Sequence, residues 1–226
     1  MDRRAPRNRI AIFGAGKVGT AMSLEMPTVP LVRRGEDCFC DIACICWPAH
    51  ALRDFAASHP LACTAETTRV AFSNGAWARE DTNDLMDHQG ICYVRVNEVG
   101  EGAREGYRGW RVGIARVSKE LHQAGLGVVC SRSDHNAHLW GKCLYILPLA
   151  MACDATGLDA KRAGNTPEWS EWYDVVKQKA IKAIGEKATI TQEKRALYLI
   201  TRSPKGWKPS PSAEELEYFK EKLCAS

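Results

Sequence analysis

The sequence of 226 residues lacks several features that mark specialised classes of protein. It contains no run approaching the roughly 20 uncharged apolar residues that cross a bilayer, and no apolar stretch follows its arginine-rich start. We therefore expect neither a membrane helix nor a secretory signal. Low-complexity segments and internal repeats are also missing, which excludes linkers and repeat arrays.

A strong charge of one sign is missing as well. The chain has 31 Lys and Arg residues and 27 Asp and Glu residues, for a formal net charge of +4, and most of that excess lies in the first nine residues. The rest of the chain shows no basic groove for nucleic acid. Because 45% of the residues are hydrophobic, the chain can bury a core. We expect a cytoplasmic protein whose partner is a small molecule.

Cysteine, in contrast, is abundant, with ten residues. We interpret them as reduced thiols, since a chain of this length needs no disulfide staples. The cluster that could suggest a metal site is Cys38, Cys40, Cys44 and Cys46. Cys44 and Cys46 lie closer together than the usual C-x2-4-C pairs of zinc sites, and residues 41–47 have the pattern of a buried strand. We predict no metal site, and the role of the cluster stays open.

The order of apolar runs and breakers predicts the fold class. Short apolar strands alternate with helices up to Cys130, which predicts a parallel sheet with helices on its faces. After Ser133-Asp134, which can cap a helix, the pattern is helical throughout, although we expect Pro148 to break the long helix over Ala137–Ala155. We predict an α/β architecture: a Rossmann-type parallel-sheet domain over residues 1–131 and an all-helical domain over residues 132–226.

One motif carries a specific chemistry. A G-x-G-x-x-G segment follows the first predicted strand and opens a helix, with the residues Gly14, Ala15, Gly16, Lys17, Val18 and Gly19. The first glycine allows a tight turn, the second lets the backbone approach a pyrophosphate, and the third allows close packing of helix and strand. Both flanks of the motif are correct, so we predict dinucleotide binding.

The end of the second predicted strand distinguishes NADP from NAD. An acid there binds the ribose 2′-hydroxyl, whereas an arginine binds a 2′-phosphate. Arg33 and Arg34 stand at that position, and Glu36 and Asp37 follow a few residues later. A solvated turn of mixed charge is the alternative. The paired guanidinium groups favour NADPH as the cofactor.

Further segments share their order and approximate spacing with one known family. They are Arg9–Ala21, Asp41–Ala57, Phe72–Gly75, His138–Lys142, and Ser203 together with Glu214–Phe219. Together they resemble the ketopantoate reductase (2-dehydropantoate 2-reductase) family, which joins an N-terminal Rossmann domain to a helical domain. The resemblance runs through most of the chain and implies NADPH-dependent hydride transfer to the carbonyl of a small 2-keto acid.

The resemblance also implies roles for individual residues. Lys142 matches the general acid of the family, and Ser203 and Glu215 match the serine and glutamate that hold the substrate. Asn74 matches an asparagine near nicotinamide and substrate. Each position also has a structural alternative. Lys142 could extend from a buried helix, and Ser203 could mark a helix end. Glu215 could form an N-terminal capping box with Ser212, and Asn74 could serve a turn that needs an asparagine before a glycine.

The chain also departs from the family. The lysine after the third strand is missing near Pro48, and Ile146 and Ala150 replace two asparagines after the catalytic lysine. The segment between Thr20 and Asp41 is also short. These departures leave two other functions open: a non-catalytic NADP(H)-binding protein, and a reductase of imine or opine-type substrates.

Two aromatic or ionisable pairs need no special function. His135 and His138 are three residues apart at the start of a helix, and we expect solvent-facing or locally bonded side chains because no third metal ligand is near. Trp169 and Trp172 lie on a predicted helix that follows Thr166 and Pro167. We expect them in the core or at the interface of a homodimer.

Overall fold

The structure is a computed structural model that describes residues 8–75, 85–94, 108–203, 205–209 and 211–225. The chain divides into two compact units, Met1–His135 and Asn136–Ser226. The division falls at the start of the longest helix of the described ranges, His135–Thr156.

A five-stranded parallel sheet forms the centre of the first unit. Its strands are β1 (Asn8–Phe13), β2 (Leu31–Val32), β3 (Cys40–Ile45), β4 (Thr68–Ala71) and β5 (His88–Gln89), in the order β2-β1-β3-β4-β5. Helices α1 (Lys17–Glu25) and α2 (Leu52–Ser58) follow β1 and β3. The strand order reverses at β1, and ligands of such sheets bind beyond the carboxyl ends of the strands at that reversal.

A second, three-stranded sheet also belongs to the first unit. It contains β6 (Ile91–Val94), β7 (Arg108–Val112) and β8 (Val128–Cys130), and helix α3 (Ala115–Gln123) lies between β7 and β8 in sequence. Strand β6 is antiparallel to β7, and β7 is parallel to β8. The five-stranded sheet confirms the predicted parallel sheet, and this smaller mixed sheet adds to it, because β6 and β7 are consecutive strands that pair directly.

One shared apolar core supports both sheets of the first unit. Ile12 of β1, Met22 of α1 and Val112 of β7 are fully buried in it. The Phe72 and Trp110 rings meet edge to face at 6.0 Å. Trp110 also donates its Nε1–H to the Glu25 carboxylate at 3.1 Å, so its buried polar group is satisfied.

The second unit is helical, as predicted. Its helices are α4 (His135–Thr156), which begins one residue earlier in the first unit, α5 (Ala160–Ala163), α6 (Pro167–Ile184), α7 (Glu186–Thr201) and α8 (Ala213–Cys224). The Thr166 hydroxyl accepts from the Trp169 N–H at the start of α6, and Ser212 does the same for Glu215 at the start of α8. Within the described ranges, no helix has the length and apolar character to span a membrane.

Helix α4 corrects one expectation. It continues through Pro148 rather than breaking there. A proline inside a helix removes one backbone hydrogen bond, but Leu144, Leu147 and Leu149 around it are all fully buried. Packing of this apolar segment outweighs the lost bond. Helix α7 also begins five residues before the predicted Thr191, directly after Gly185 at φ +78°.

Candidate functional site

The glycine turn after β1 has the conformation that the motif predicts. Gly14 has φ +102°, and a Cβ there would lie 3.0 Å from both the Cys46 carbonyl oxygen and Trp47 Cδ1. A Cβ at Gly19 would lie 1.8 Å from the Gly14 carbonyl oxygen. The first and third glycines are therefore required by the close approach of α1, β1 and β3.

The second glycine has a different environment. Gly16 is the N-cap residue of α1, and among the described residues nothing lies within 4 Å of a Cβ built on it. No acidic side chain lies in the first turn of α1, and no side chain caps it. Open space in front of a helix start, where the first backbone N–H groups have no acceptor within the helix, suits a phosphate group, so these residues fit a dinucleotide pyrophosphate.

The end of β2 reaches the same turn. The Gly14 N–H donates to the Val32 carbonyl at 3.2 Å, so Arg33 and Arg34 follow directly beyond this contact, and both are exposed. The nearby carboxylates accept hydrogen bonds from backbone N–H groups. Glu36 accepts from the Arg33 N–H at 2.8 Å, and Asp37 accepts from the N–H groups of Cys38 and Leu61, each at 2.8 Å.

Asn74 lies in the turn that follows β4. Gly75 has φ +82°, as expected of the N-G turn. The side chain of buried Gln89 holds both neighbours of Asn74, since its Nε2 donates to the carbonyl oxygens of Ser73 at 3.5 Å and Gly75 at 2.5 Å. The carboxyl ends of β1, β3 and β4 thus carry the glycine turn, Trp47 and Asn74 at one edge of a parallel sheet.

Two histidines stabilise the backbone around Gln89. The His88 and His135 rings lie 4.7 Å apart. His88 Nε2 accepts from the Gly113 N–H at 2.7 Å, and His135 Nε2 donates to the Gln89 carbonyl at 2.7 Å while its Nδ1 bonds the Ser131 hydroxyl. His135 is locally bonded, as we expected.

In the second unit, Lys142 lies in α4 with only 6% of its surface exposed. Its neighbours Leu139, Trp140 and Cys143 are buried too. Burial raises the pKa of the Cys143 thiol to about 12, although the adjacent Lys142 charge opposes that shift. Cys143 therefore stays a neutral thiol beside the lysine.

Ser203 and Glu215 are also buried in the second unit, each 7% exposed. Ser203 follows the end of α7, and its hydroxyl donates to the Leu199 carbonyl at 3.2 Å. The Glu215 N–H donates to the Ser212 hydroxyl at 3.2 Å, which is one half of the predicted capping box. In the described part of this unit the buried polar residues are Lys142, Thr189, Gln192, Ser203 and Glu215. Three of these five are the residues that the resemblance singled out.

Two residues of the cysteine cluster lie in the sheet of the first unit. Cys40 and Cys44 are buried in β3, and burial raises the pKa values of Cys44 and of Cys46, which follows that strand. Among the described residues, no group of three or more His, Cys, Asp or Glu side chains is arranged to hold a metal ion.

Sequence reasoning did not single out Gln89, His88 or Gln192. Gln89 binds residues 14 and 16 positions earlier, and only the fold brings them together. A Cβ at Gly141 would lie 2.3 Å from Gln192 Oε1, so this contact between α4 and α7 also depends on folding. The sequence contains no periodic signal for such pairs.

Comparison with known proteins shows the fold. No family model and no curated protein matches the sequence. Among solved structures, a ketopantoate reductase from Ralstonia eutropha is similar over 94% of this chain and 85% of its own, with 15% identity and a TM-score of 0.66.

Two other solved structures give the same result. A dimeric ketopantoate reductase from Staphylococcus aureus covers 94% of this chain and 85% of its own, with 13% identity and a TM-score of 0.64. A D-mandelate dehydrogenase with NADH and anilino(oxo)acetate covers 94% and 86%, with 13% identity and a TM-score of 0.66. The resemblance found in the sequence is confirmed at the level of the fold: this chain has the ketopantoate reductase fold, a Rossmann-type unit followed by a helical unit.

Proposed function

We propose that this protein is an NADPH-dependent reductase of the carbonyl group of a small 2-keto acid such as ketopantoate. The observation that carries the proposal is the burial of Lys142, the one buried lysine of the described part, in a chain whose first unit has a dinucleotide turn. Lysine is among the residue types least often buried, so its burial here marks a candidate functional position. The names of the structural neighbours support the same substrate class.

Lys142 supplies what the reaction needs from the protein. When bound, NADPH supplies a hydride to the carbonyl carbon and is oxidised to NADP⁺. Negative charge then develops on the carbonyl oxygen, and the Lys142 ammonium offsets this charge and donates a proton to form the alcohol. The low-dielectric surroundings strengthen this electrostatic stabilisation.

The cofactor choice rests on the end of β2. The carboxylates of Glu36 and Asp37 accept backbone N–H groups, whereas Arg33 and Arg34 extend into solvent next to the glycine turn. A guanidinium pair suits the 2′-phosphate of NADPH. A neighbour of the same fold contains NADH, so the choice depends on these residues rather than on the fold.

We also propose roles for three further residues. Asn74 contacts nicotinamide and substrate, and Ser203 and Glu215 bind the substrate. Burial of Ser203 and Glu215 and the clamp of Gln89 on both sides of Asn74 support these roles, because a buried or fixed polar group is already oriented before substrate binds. A homodimer is also proposed, since Ile190 and Leu197 of α7 expose apolar surface.

The test replaces Lys142 with Met, which keeps most of the side-chain volume. NADPH oxidation is followed over a panel of 2-keto acids, with the exposed Lys194 changed to Met as the matched control. Loss of a general acid lowers kcat by about 100- to 10,000-fold. We expect unchanged NADPH affinity by fluorescence titration and a parent-like circular dichroism spectrum. Turnover close to that of the parent would show that Lys142 is not the acid.

A second candidate function is binding of NADP(H) without catalysis. Ile146 and Ala150 follow Lys142 by one and two turns of α4, and both are apolar where the family has amides. Tight NADPH binding without turnover on any keto acid would favour this candidate. NADPH consumption that depends on an added amine would instead indicate the imine or opine-type reaction.

A further inference from the structure

A polar cluster of the second unit lies between α4 and α7. A Cβ at Gly141 would lie 2.3 Å from Gln192 Oε1, so the glycine allows α7 to contact α4 directly beside Lys142. One turn away, Arg195 Nη1 donates to His138 Nδ1 at 3.5 Å. The two contacts pair residues 141 with 192 and 138 with 195, so the helices are antiparallel and their register here is defined.

Arg195 reaches the same face of α4 as Lys142. His138 and Lys142 are four residues apart, which places their Cβ atoms about 5–6 Å apart on one side of the helix. Helical side chains lean towards the N-terminus, so the Lys142 side chain leans towards the turn that carries His138. Arg195, through His138, and Lys142 therefore lie on the same side of helix α4.

Of the charged groups proposed for this site, Lys142 and Arg195 are cations and Glu215 is an anion, so the balance stays positive. Arginine only donates hydrogen bonds, so His138 accepts at Nδ1 and is neutral in this contact. The carboxylate two residues before Arg195 is directed elsewhere, since Glu193 accepts from Lys177 of α6 at 2.8 Å. Burial raises the pKa of Glu193, but the bonds from Lys177 and Tyr173 outweigh it and lower the pKa overall. Glu193 is thus an anion bound to α6.

The two turns of helix α4 after Lys142 present apolar side chains on the same face. Ile146 is half-buried and Ala150 is 3% exposed, and neither side chain can donate a hydrogen bond. A second donor beside Lys142 can come from another helix. Helix α7 contributes Arg195 and ends just before Ser203, a proposed substrate ligand.

We propose that Arg195 binds the carboxylate of the substrate beside Lys142 and so makes this site selective for anionic 2-keto acids over neutral ketones. The proposal rests on the proposed function. A guanidinium binds a carboxylate through two parallel N–H donors, which fixes its orientation as well as its charge. The carbonyl next to that carboxylate then lies within reach of the general acid.

The first experiment compares each 2-keto acid with its own primary amide, which keeps the carbonyl but removes the charge. In the parent we expect the acid to have the higher kcat/KM. In Arg195→Met we expect kcat/KM for the acid to fall by about 10- to 100-fold, the value of a charge-assisted pair, with little change for the amide. Arg195→Lys keeps the positive charge but lacks the two parallel N–H donors, so its kcat/KM for the acid should lie between those of the parent and Arg195→Met.

The control is Arg202→Met. Arg202 is exposed at the end of the same helix, where its guanidinium lies over the Tyr198 ring at 5.1 Å. It should keep both the parent activity and the preference for the acid. Equal loss on acid and amide in Arg195→Met, or weaker NADPH binding, would show a structural role for Arg195 and overturn the proposal.

A binding experiment separates this proposal from the proposed function. Oxamate carries the carboxylate and an adjacent carbonyl but accepts no hydride, so its binding in the presence of NADPH is measured by calorimetry without turnover. We expect binding to the parent and to Arg202→Met, and loss in Arg195→Met. If oxamate binds in this pattern but no keto acid is turned over, the proposed carboxylate site stands and the proposed reductase activity is rejected. Oxamate binding that is equal in parent and Arg195→Met, or absent from both, would reject the carboxylate site.

Discussion

At the residue scale, the acids and arginines after β2 have different tasks. Glu36 and Asp37 could bind a ribose hydroxyl by their chemistry, but both accept backbone N–H groups at 2.8 Å. These bonds hold one oxygen of Glu36 and both oxygens of Asp37 against the backbone. Arg33 and Arg34 lie exposed beyond the strand, and a 2′-phosphate is the group that matches them.

We expect the double variant Arg33→Ala/Arg34→Ala to lose affinity for NADPH but not for NADH. Removal of charge-assisted bonds to the phosphate weakens binding by about 1.5–3 kcal/mol, or roughly 10- to 100-fold. Fluorescence titration with both cofactors measures the ratio. The exposed Arg132 changed to Ala is the control and should bind both as the parent does. An equal loss for the two cofactors would contradict phosphate recognition.

The residues that could be predicted from sequence are those with a local signal. The glycine motif and the N-G turn depend on neighbours in the chain, and the structure shows both with positive φ at Gly14 and Gly75. Gln89 and Arg195 have no such signal. Arg195 contacts His138, 57 residues away, so its environment exists only after folding.

At the scale of elements, two glycines of the turn between β1 and α1 have different roles, one in folding and one in binding. A Cβ at Gly19 would lie 1.8 Å from the Gly14 carbonyl oxygen, whereas in the described structure nothing lies within 4 Å of a Cβ at Gly16. Substitution by alanine should therefore lower the stability at Gly19 and weaken cofactor binding at Gly16, although the two positions are only three residues apart.

We expect Gly19→Ala to destabilise the protein by about 1–3 kcal/mol or more, because helix and strand must move apart. Thermal unfolding followed by circular dichroism measures this effect. Gly16→Ala should unfold at nearly the parent temperature but bind NADPH much more weakly, since the new methyl group occupies the space for the pyrophosphate. Normal NADPH binding by Gly16→Ala would contradict that placement.

Elements were predictable where a pattern repeats along the chain, and less so where tertiary contacts decide. Helix α6 begins at Pro167 as its capping signal indicates, but α4 continues through Pro148 because the surrounding leucines are buried. The two-residue strand β5 is too short to show a period. The antiparallel pairing of β6 with β7 has no signal that distinguishes it from parallel pairing.

At the scale of the whole molecule, ten free thiols are distributed over both units. Five of the ten are buried and serve as small apolar residues, among them Cys44 in β3 and Cys143 and Cys153 in α4. Burial raises the pKa of Cys143 to about 12 and that of Cys153 to about 11. The thiolate is the reactive species, so such side chains should be inert while the protein is folded.

We therefore expect two cysteines, Cys130 and Cys224, to react rapidly with a thiol reagent such as DTNB at pH 8, since they are the exposed ones. The half-buried thiols should react more slowly, because burial raises the pKa of Cys38 and of Cys63 as well. The fully buried thiols should react only as the protein unfolds, giving ten in denaturant without a reductant. The variant Cys130→Ser/Cys224→Ser should lose the rapid phase and keep the rest. Fewer than ten thiols in denaturant would reveal disulfides, and a rapid phase larger than two would mean that the strands around β3 open readily.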